Sequence, residues 1–377
     1  MKYKLGDICN GIADGSHNPP TGGNRSDFVM LSSKNVFDDQ ITYDDPRYLS
    51  EEQFLLEDKR TKIKTGDVLI TIVGTVGRTA VVGEDEKNIT LQRSVAVLHP
   101  NNEICNSRYL MYSLRSMRSL LENESHGIAQ KGIYLKQLSS MEINLPMINE
   151  QESVVKCLDA IWNIMKQRKR VLQKYDELIK ARFVEMFGDP ETNPKGWKRI
   201  TLGDVCSSIV RGPFGSALKK EFFVEPNDTT YKVYEQKHAI QKSATIGTYY
   251  VTEDKYRELK RFECVAGDIL MSCSGTMGEL YQLPDGCERG IINQALCKFT
   301  LNDKILPICF LVYMKQTIRN LETKGSGIQN IAAVSYVKEM PINLPPMSIQ
   351  EDFASFVAQI DKSKVMKRLR LSTNSFC

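Results

Sequence analysis

Apolar and polar positions along this chain of 377 residues follow two periods, and each period occurs twice in the same order. In "GDVLITIV" (66–73) and "GDILMSCS" (267–274) a Gly-Asp turn precedes a run of apolar and β-branched residues, which predicts strands. The segments 108–123 and 308–323 have apolar residues at three- and four-residue spacing, which predicts helices. The pattern therefore predicts an α+β chain whose two halves are alike.

Short phrases recur at a nearly constant distance, which predicts that one domain has been duplicated. The recurring phrases, each with its copy, are "LGDIC" (5–9) and "LGDVC" (202–206), "TGDVLITIVGTVG" (65–77) and "AGDILMSCSGTMG" (266–278), "TLQRSVAVL" (90–98) and "INQALCKF" (292–299), and "INLPMINEQE" (143–152) and "INLPPMSIQE" (342–351). The third pair matches loosely, when Gln92 is aligned with Gln294. All four pairs keep their order along the chain.

The phrase "INLP" precedes a predicted helix in both halves. Asn149 with Glu152, and Ser348 with Glu351, have the spacing of a capping box. The first helix is predicted over 150–187 and would be about 57 Å long at about 1.5 Å per residue.

Apolar residues in these helices keep the 4-3 spacing of a heptad seam. The predicted seam comprises Val154, Leu158, Ile161, Met165, Leu172, Tyr175 and Ile179 in the first helix, and Phe353, Val357 and Ile360 in the second. Lys364 and Lys367 then interrupt the second seam, so we expect a shorter second helix. A packed helix inside one domain is the alternative, but a globular copy on each side favours a spacer.

These features predict four parts. They are a first domain at 1–146, a long spacer helix at 147–190, a second domain at 191–345, and a shortened C-terminal helix at 346–377.

Composition excludes several classes of protein. A hydrophobic content of 41% with 25% charged residues is typical of a globular protein, and the net charge of +4 permits a polyanionic partner without requiring one. The longest apolar runs are far shorter than the roughly 20 residues that a membrane helix needs, and the N-terminus has no signal-peptide core. The ten cysteines form no C-x-x-C pair. We therefore expect a cytoplasmic chain with reduced thiols, no metal site and no contact with a membrane.

No catalytic motif is convincing. "HNPPTGG" (17–23) is similar to the Asn-Pro-Pro-aromatic motif of adenine methyltransferases, but Thr21 stands where an aromatic ring would stack on a base. "GTVGR" (74–78) and "GTMGE" (275–279) lack the Gly-Lys-Ser/Thr ending of a phosphate-binding loop, so they are interpreted as turns. The four histidines are dispersed, and no triad or carboxylate pair can be assembled from the spacing.

Polar loops at matching places in the two copies contain residue types that contact base edges and phosphates. The candidates for DNA binding in the first copy are Ser16, His17, Asn18, Arg78, Gln92, Arg93, Gln130 and Lys131. The candidates in the second copy are Arg211, Ser216, Lys219, Lys220, Asn293, Gln294, Gln329 and Asn330. Any surface loop can hold such residues, so taken alone they favour DNA binding only weakly.

The order of these phrases, twice over, resembles the specificity subunit of type I restriction-modification systems, and the resemblance covers nearly the whole chain. It implies two target recognition domains, each recognising one half of a split sequence in double-stranded DNA. It also implies antiparallel helices that set the separation of the half-sites and dock methyltransferase subunits, of which we expect two, together with restriction subunits. The chain would have no active site, and S-adenosylmethionine, ATP and magnesium would bind to the partner subunits.

Two other classes of function stay open from sequence alone. One is a non-catalytic interaction protein with two ligand-binding domains on a helical stalk, and the other is a fragment of a methyltransferase. Salt-dependent binding to duplex DNA would argue against the first, and methyl transfer by the isolated chain would support the second.

Overall fold

The computed structural model describes residues 1–125, 132–323 and 333–373. The chain divides into two compact units, Met1–Arg168 and Lys169–Cys377, and the division falls within one long helix.

The first unit has eleven described strands. They are β1 (Lys2–Lys4), β2 (Cys9–Asp14), β3 (Phe28–Leu31), β4 (Val36–Phe37), β5 (Gln40–Ile41), β6 (Arg47–Leu49), β7 (Val68–Thr71), β8 (Thr79–Val81), β9 (Ile89–Leu91), β10 (Val95–Pro100) and β11 (Glu142–Asn144). The helices are α1 (Leu5–Ile8), α2 (Glu51–Thr61), α3 (Ser107–Ser116), α4 (Arg118–Glu124), α5 (Leu135–Ser140) and α6 (Ile148–Phe187), which continues into the second unit.

The second unit has a similar order of elements. Its strands are β12 (Lys198–Thr201), β13 (Cys206–Arg211), β14 (Tyr231–Tyr234), β15 (Tyr250–Val251), β16 (Glu263–Cys264), β17 (Ile269–Ser272), β18 (Leu280–Gln282), β19 (Gly290–Ile292), β20 (Leu296–Leu301) and β21 (Pro341–Leu344). Its helices are α7 (Gln236–Gln241), α8 (Glu253–Glu258), α9 (Pro307–Thr323), α10 (Val334–Glu339) and α11 (Met347–Thr373), with short 3-10 turns at Leu202–Val205, Gly215–Leu218, Lys220–Phe222 and Lys260–Phe262.

The sheets confirm the predicted duplication. A four-stranded sheet has the order β2-β10-β7-β8 in the first unit and β13-β20-β17-β18 in the second. A smaller sheet in each unit contains one parallel pair, β3 with β9 and β14 with β19. A two-stranded ribbon joins the first strand of each unit to the strand before the long helix, β1 to β11 and β12 to β21.

The recurring "GT(V/M)G" segments are turns, as predicted. In the first unit the Thr71 hydroxyl donates to the Thr75 carbonyl at 2.5 Å and accepts from the Arg78 amide at 2.9 Å. Ser272 makes the same two bonds with Thr276 and Glu279, at 2.6 and 2.9 Å. The glycines at both ends of each segment have positive φ, between 59° and 86°, a conformation that strongly favours glycine.

The predicted helix at 108–123 is wrong in one respect, because it is two helices. Met117, with φ of −90° and ψ of 6°, separates α3 from α4. Directly after it, Arg118 donates from Nη2 to the Gly77 carbonyl at 2.9 Å and forms an ion pair with Asp38. Arg118 and its two partners lie far apart in the sequence, so the spacing of apolar residues cannot indicate these contacts. Its counterpart, α9, is continuous over Pro307–Thr323.

The helix predicted over 150–187 is confirmed as α6, which has 40 residues without a break. The second long helix, α11, has 27 described residues. Within the second unit α11 packs antiparallel to the C-terminal part of α6. Phe353 lies 5.3 Å from Phe187 between ring centroids, while Lys364, three turns later, pairs at 3.0 Å with Asp176.

The capping boxes proposed for the two helices are wrong. The Met147 amide donates to the carboxylate of Glu150, and in the described bonds the Asn149 side chain accepts from the next amide and not from Glu152. Neither Glu152 nor Ser348 takes part in a described capping bond. Helix α6 begins at Ile148 and α11 at Met347, ahead of the positions that the capping boxes required.

Both copies of the repeated phrase contain a buried glutamine in the same structural role. Gln151 is fully buried, accepts from the Asn106 amide at 2.9 Å, and donates to the carbonyls of Ile104 and Pro146, both at 2.8 Å. Gln350, 1% exposed, accepts from the Leu306 amide at 2.9 Å and donates to the carbonyls of Lys304 and Pro345 at 3.0 and 3.1 Å. Each glutamine therefore joins the start of a long helix to the loop before α3 or α9.

None of the helices within the described ranges combines the length and the apolar content that a bilayer crossing needs.

Candidate nucleic-acid interface

The first unit has a groove where the ends of β2, β3, β7 and β9 come together. The turn Gln92–Ser94 joins β9 to β10 at its centre. The Ser16 amide donates to the Leu91 carbonyl at 2.8 Å, and the Arg93 amide donates to the Ser16 carbonyl at 2.9 Å. These bonds hold the loop that follows β2 beside the turn. The structure thus brings together four of the predicted residues, Ser16, His17, Gln92 and Arg93.

The groove consists of three adjoining clefts of about 430, 440 and 260 Å³. Gln92 lines the first two and Arg93 the last two, so this pair is central. The remaining groove residues are Asp14, His17, Met30, Ser32, Ser33, Lys34, Asp45, Pro46, Arg47, Ile72, Val73, Gly74, Ser94, Gly132, Ile133, Tyr134 and Leu135. We call this set, with Gln92 and Arg93, the first groove. Its lining contains hydroxyl, amide, ammonium and guanidinium donors, which suit a polyanion with hydrogen-bonding edges.

A buried carboxylate positions His17 at one end of the first groove. Asp14 is 7% exposed, and its Oδ2 lies 2.7 Å from Nε2 of His17. Arg60 donates from Nε to the Asp14 carbonyl at 2.8 Å and pairs with the Asp14 carboxylate. Burial alone would raise the pKa of Asp14, but the hydrogen bonds from Arg60 and His17 hold it below its ordinary value. Asp14 therefore stays ionised, while the His17 side chain remains 55% exposed.

The second unit builds the same backbone arrangement. The Leu296 amide donates to the Asn293 carbonyl and the Asn293 amide to the Tyr234 carbonyl, as Val95 does to Gln92 and Gln92 to Leu31. The structure thus aligns Gln92 with Asn293 and Arg93 with Gln294. The alignment of Gln92 with Gln294 is wrong by one residue, because the strands on both sides of the turn, β9 with β19 and β10 with β20, keep one common offset that pairs Gln92 with Asn293.

Side chains at the matched positions differ between the units. Arg211 replaces Asp14 at the end of the first long strand, and its guanidinium lies 5.0 Å from the ring centroid of Phe214 and donates to the Gln294 carbonyl at 3.3 Å. Gln294 is exposed, whereas Asn293 is half-buried and accepts from the Ala295 amide at 3.1 Å. Arg211 and Gln294 therefore lie together, and Asn293 shapes the turn.

The other predicted residues that the structure describes have different surroundings. Arg78 stacks on Phe37 with 4.7 Å between its guanidinium carbon and the ring centroid. Asn18, Ser216 and Lys220 are exposed, and Lys219 pairs with Glu221 at 3.5 Å. Gln130, Lys131, Gln329 and Asn330 lie outside the described residues.

The sequence interpretation missed the loops that follow β3 and β14. Ser32, Lys34 and Arg47 line the first groove beside Gln92. In the second unit Ser274 donates to the side chain of Gln236 at 2.9 Å, next to the matching turn. The parallel pairing of β3 with β9 is the signal that would have found them, since parallel strands end at the same edge. That pairing joins strands about sixty residues apart and is invisible to local periodicity.

Among the described residues there is no group of three His, Cys, Asp or Glu side chains that could hold a metal ion. The described cysteines are free thiols, and burial raises the pKa of Cys9, Cys105, Cys206 and Cys309 to about 12. Thiols with such pKa values stay protonated and are poor nucleophiles.

Comparison with known proteins agrees with the repeated architecture. The chain is 30% identical over 186 residues to the type I restriction enzyme EcoBI specificity subunit of Escherichia coli, and 20% identical over 271 residues to the MjaVIII specificity subunit of Methanocaldococcus jannaschii. These matches cover 48% and 69% of this chain, and 38% and 63% of the two relatives. The chain thus spans less than two thirds of the length of either relative.

Solved structures show the same fold at low sequence identity. The crystal structure of a type I restriction-modification S subunit from M. genitalium has a TM-score of 0.50 at 14% identity, covering 99% of this chain and 92% of that one. A structure describing complex assembly and conformational transition of the type I system has a TM-score of 0.53 at 16% identity, covering 100% and 93%.

The family model for the type I restriction modification DNA specificity domain matches twice, at residues 1–174 and 194–371. These two matches cover most of the chain and agree with the two units of the structure. The chain therefore belongs to the family of type I restriction-modification DNA specificity domains and contains two copies of that domain.

Proposed function

We propose that this chain is the specificity subunit of a type I restriction-modification complex, and that each unit recognises one half of a bipartite sequence in double-stranded DNA. One observation carries the proposal: the same backbone turn, at 92–95 and 293–296, presents different polar side chains in the two units. Recognition of two different short sequences requires that the same backbone arrangement present different hydrogen-bond donors and acceptors in the two units.

The first groove supports recognition of base edges beside a phosphate backbone. Arg93 is exposed between two clefts, and an arginine can donate two hydrogen bonds to the O6 and N7 atoms of guanine. Gln92 can bond adenine in the same bidentate way. Lys34, which pairs with the exposed Asp45, and Arg47 line the same groove and can contact phosphates. Arg211 and Gln294 have the corresponding place in the second unit.

Membership of the family supports a proposal for partners and cofactors. The chain would act without an active site of its own, docking two methyltransferase subunits and restriction subunits in the cytoplasm. Those subunits would bind S-adenosylmethionine, ATP and magnesium. The predicted seam of α6 and α11 is the candidate docking surface, and α6 is the candidate for the element that sets the number of unread base pairs between the half-sites.

A domain exchange tests the proposal. Residues 197–345 are replaced by the matching domain of a related chain, the complex is assembled in a host with its methyltransferase, and the methylated sequence is determined. One half-site should change while the other persists. If both halves change, or neither does, the modular recognition is refuted.

A point variant in the first unit complements the domain exchange, because it tests the half-site that the exchange should leave unchanged. Arg93→Ala should relax one position of the other half-site at a cost of about 1 to 3 kcal/mol in binding free energy. If the variant instead loses affinity equally for all sequences, and the slope of log binding constant against log salt concentration becomes shallower by about one, Arg93 contacts a phosphate. An interaction protein of another kind would show no salt-dependent binding of duplex DNA at all.

A further inference from the structure

The last residues of β2 and β13, Asp14 and Arg211, hold equivalent positions in the two units. Asp14 pairs with Ala96 across the sheet, and Arg211 pairs with Cys297. Ala96 and Cys297 are both the second residue of their strands, β10 and β20. The residues that follow Asp14 and Arg211 therefore enter the same place beside the two turns.

An aromatic ring occupies that place in both units. His17 follows Asp14 by three residues, and Phe214 follows Arg211 by three residues. The His17 side chain is 55% exposed, and Phe214, at 67%, is the most exposed phenylalanine among the described residues. Each ring is nevertheless held from behind, His17 by the Asp14 carboxylate and Phe214 by the Arg211 guanidinium. An exposed ring that is already held in position loses little freedom when it contacts a ligand.

The bond to Asp14 determines which hydrogen-bonding group His17 offers. An ionised carboxylate only accepts hydrogen bonds, so the hydrogen of the 2.7 Å bond lies on Nε2 of His17. Arg60 pairs with the same carboxylate and keeps it ionised. In the neutral ring Nδ1 is then an acceptor. In the major groove the donors that suit an acceptor are the amino groups of adenine and cytosine.

Phe214 offers a different chemistry at the equivalent position. Its ring has no hydrogen-bonding group, and the apolar group that the major groove presents is the C5-methyl of thymine. Arg211, which stacks on this ring, also donates to the Gln294 carbonyl at 3.3 Å and so connects the ring to the turn. In the first unit His17 lines one cleft together with Arg93, the counterpart of Gln294. Ring and turn residue therefore adjoin in both units.

We propose that His17 and Phe214 are matched specificity-determining residues. His17 accepts a hydrogen bond from the amino group of an adenine or cytosine in one half-site, and Phe214 contacts the methyl group of a thymine in the other. This inference rests on the proposed function, because it assigns the base chemistry that each unit recognises.

Duplexes that lack single base groups test the assignment. The target is first determined from the methylated DNA of a host that carries the chain with its methyltransferase, and the domain exchange shows which half-site belongs to which unit. In synthetic duplexes 2-aminopurine then replaces adenine, or pyrimidin-2-one replaces cytosine, one position at a time, which removes the major-groove amino group. Uracil replaces thymine in the same way, which removes the methyl group. Fluorescence anisotropy measures the affinity of the complex with its methyltransferase for each duplex.

We expect removal of one amino group in the half-site of the first unit to weaken wild-type binding by about tenfold. His17→Ala should bind the unmodified duplex more weakly and be insensitive to that removal. Loss of one thymine methyl in the other half-site should weaken wild-type binding by about fourfold, and Phe214→Ala should be insensitive to it. Weaker pairing of an analogue affects wild type and variant alike, so the difference between them isolates the contact.

Each variant is the matched control for the other, because it should keep the full analogue sensitivity of the opposite half-site. Both side chains are exposed, so circular dichroism should show folded variants. If His17→Ala and Phe214→Ala keep the analogue sensitivity of their own half-sites, or if wild-type binding depends on no such amino or methyl group, the inference is refuted while bipartite recognition stands. If the wild-type complex binds no specific duplex at all, the proposed function itself fails.

Discussion

At the scale of single residues, two glycines allow the closest backbone approach beside the turns. A Cβ atom at Gly15 would lie 2.0 Å from the Leu91 carbonyl oxygen, and one at Gly212 would lie 1.9 Å from that of Asn293. Both obstacles are backbone atoms, so no change of rotamer can relieve them. We expect Gly15→Ala to lower the free energy of unfolding by about 2 kcal/mol or more, measured by urea denaturation.

Gly23→Ala is the control for this substitution. A Cβ there would meet no atom within 4 Å, and the residue is not among those with positive φ. It should leave the unfolding free energy unchanged or raise it slightly, because alanine restricts the unfolded chain. An equal loss in both variants would mean that the approach at Gly15 is not a constraint.

The candidate residues show how far sequence alone reaches at this scale. Residue type and recurrence located Gln92, Arg93 and Arg211, which the structure places at matched turns. Arg78 was chosen by the same criteria and stacks on Phe37 instead. Whether a chosen residue lies at the turns depends on which strands become neighbours. The sequence therefore indicates the hydrogen-bond donors, but not which of them point into the same groove.

At the scale of elements, a charged cluster attaches α6 to α3. Arg108 donates to Asp159 from Nε at 2.8 Å and from Nη2 at 2.6 Å, and the Tyr112 hydroxyl donates to the same carboxylate at 2.6 Å. Burial would raise the pKa of Asp159, but these donors outweigh it and lower the pKa below its ordinary value. The ionised carboxylate is therefore the form that stabilises the attachment.

Asp159→Asn should lower the free energy of unfolding of the first unit by about 1 to 2 kcal/mol at pH 7. Since the folded pKa lies below the unfolded one, this stabilisation is present above the ordinary carboxyl range near pH 4 and is lost as the pH falls through the folded pKa. The gap between wild type and variant should thus shrink below about pH 4, as measured by urea denaturation at several pH values.

Asp176→Asn on the same helix serves as the comparison. Asp176 is 68% exposed and pairs with Lys364 across the surface, so its loss should change stability little. A gap for Asp159→Asn that stayed constant down to pH 3 would contradict an electrostatic attachment.

Element type was predictable from sequence, and element ends were less so. The length of α6 followed from an uninterrupted seam, whereas its start depends on Gln151 reaching the carbonyls of Ile104 and Pro146. The sequence has the residue spacing of a capping box, but the structure does not form that capping box. The fully buried Gln151 instead bonds the loop before α3. Only the packing of α3 beside α6 creates that buried position.

At the scale of the whole molecule, each unit has its own apolar core. Leu5 belongs to a core with Val68, Ile70 and Leu98 in the first unit, and Leu202 belongs to one with Ile269, Met271 and Phe299 in the second. Both leucines are fully buried and come from the repeated "LGD" phrase. The sequence predicted this symmetry, because a duplicated phrase implies a duplicated environment.

Separate cores predict separate cooperative units. Leu5→Ala and Leu202→Ala should each cost about 2 to 5 kcal/mol of unfolding free energy, the usual range for a buried leucine, but in different units. Hydrogen exchange read by mass spectrometry locates the loss, because amides exchange according to the opening of the cooperative unit that contains them. In Leu5→Ala, exchange should accelerate in β7 and β10 and stay unchanged in β17 and β20; in Leu202→Ala the pattern should be reversed. Acceleration in all four strands in both variants would mean that the units unfold together through α6, and independent domains would then be the wrong description.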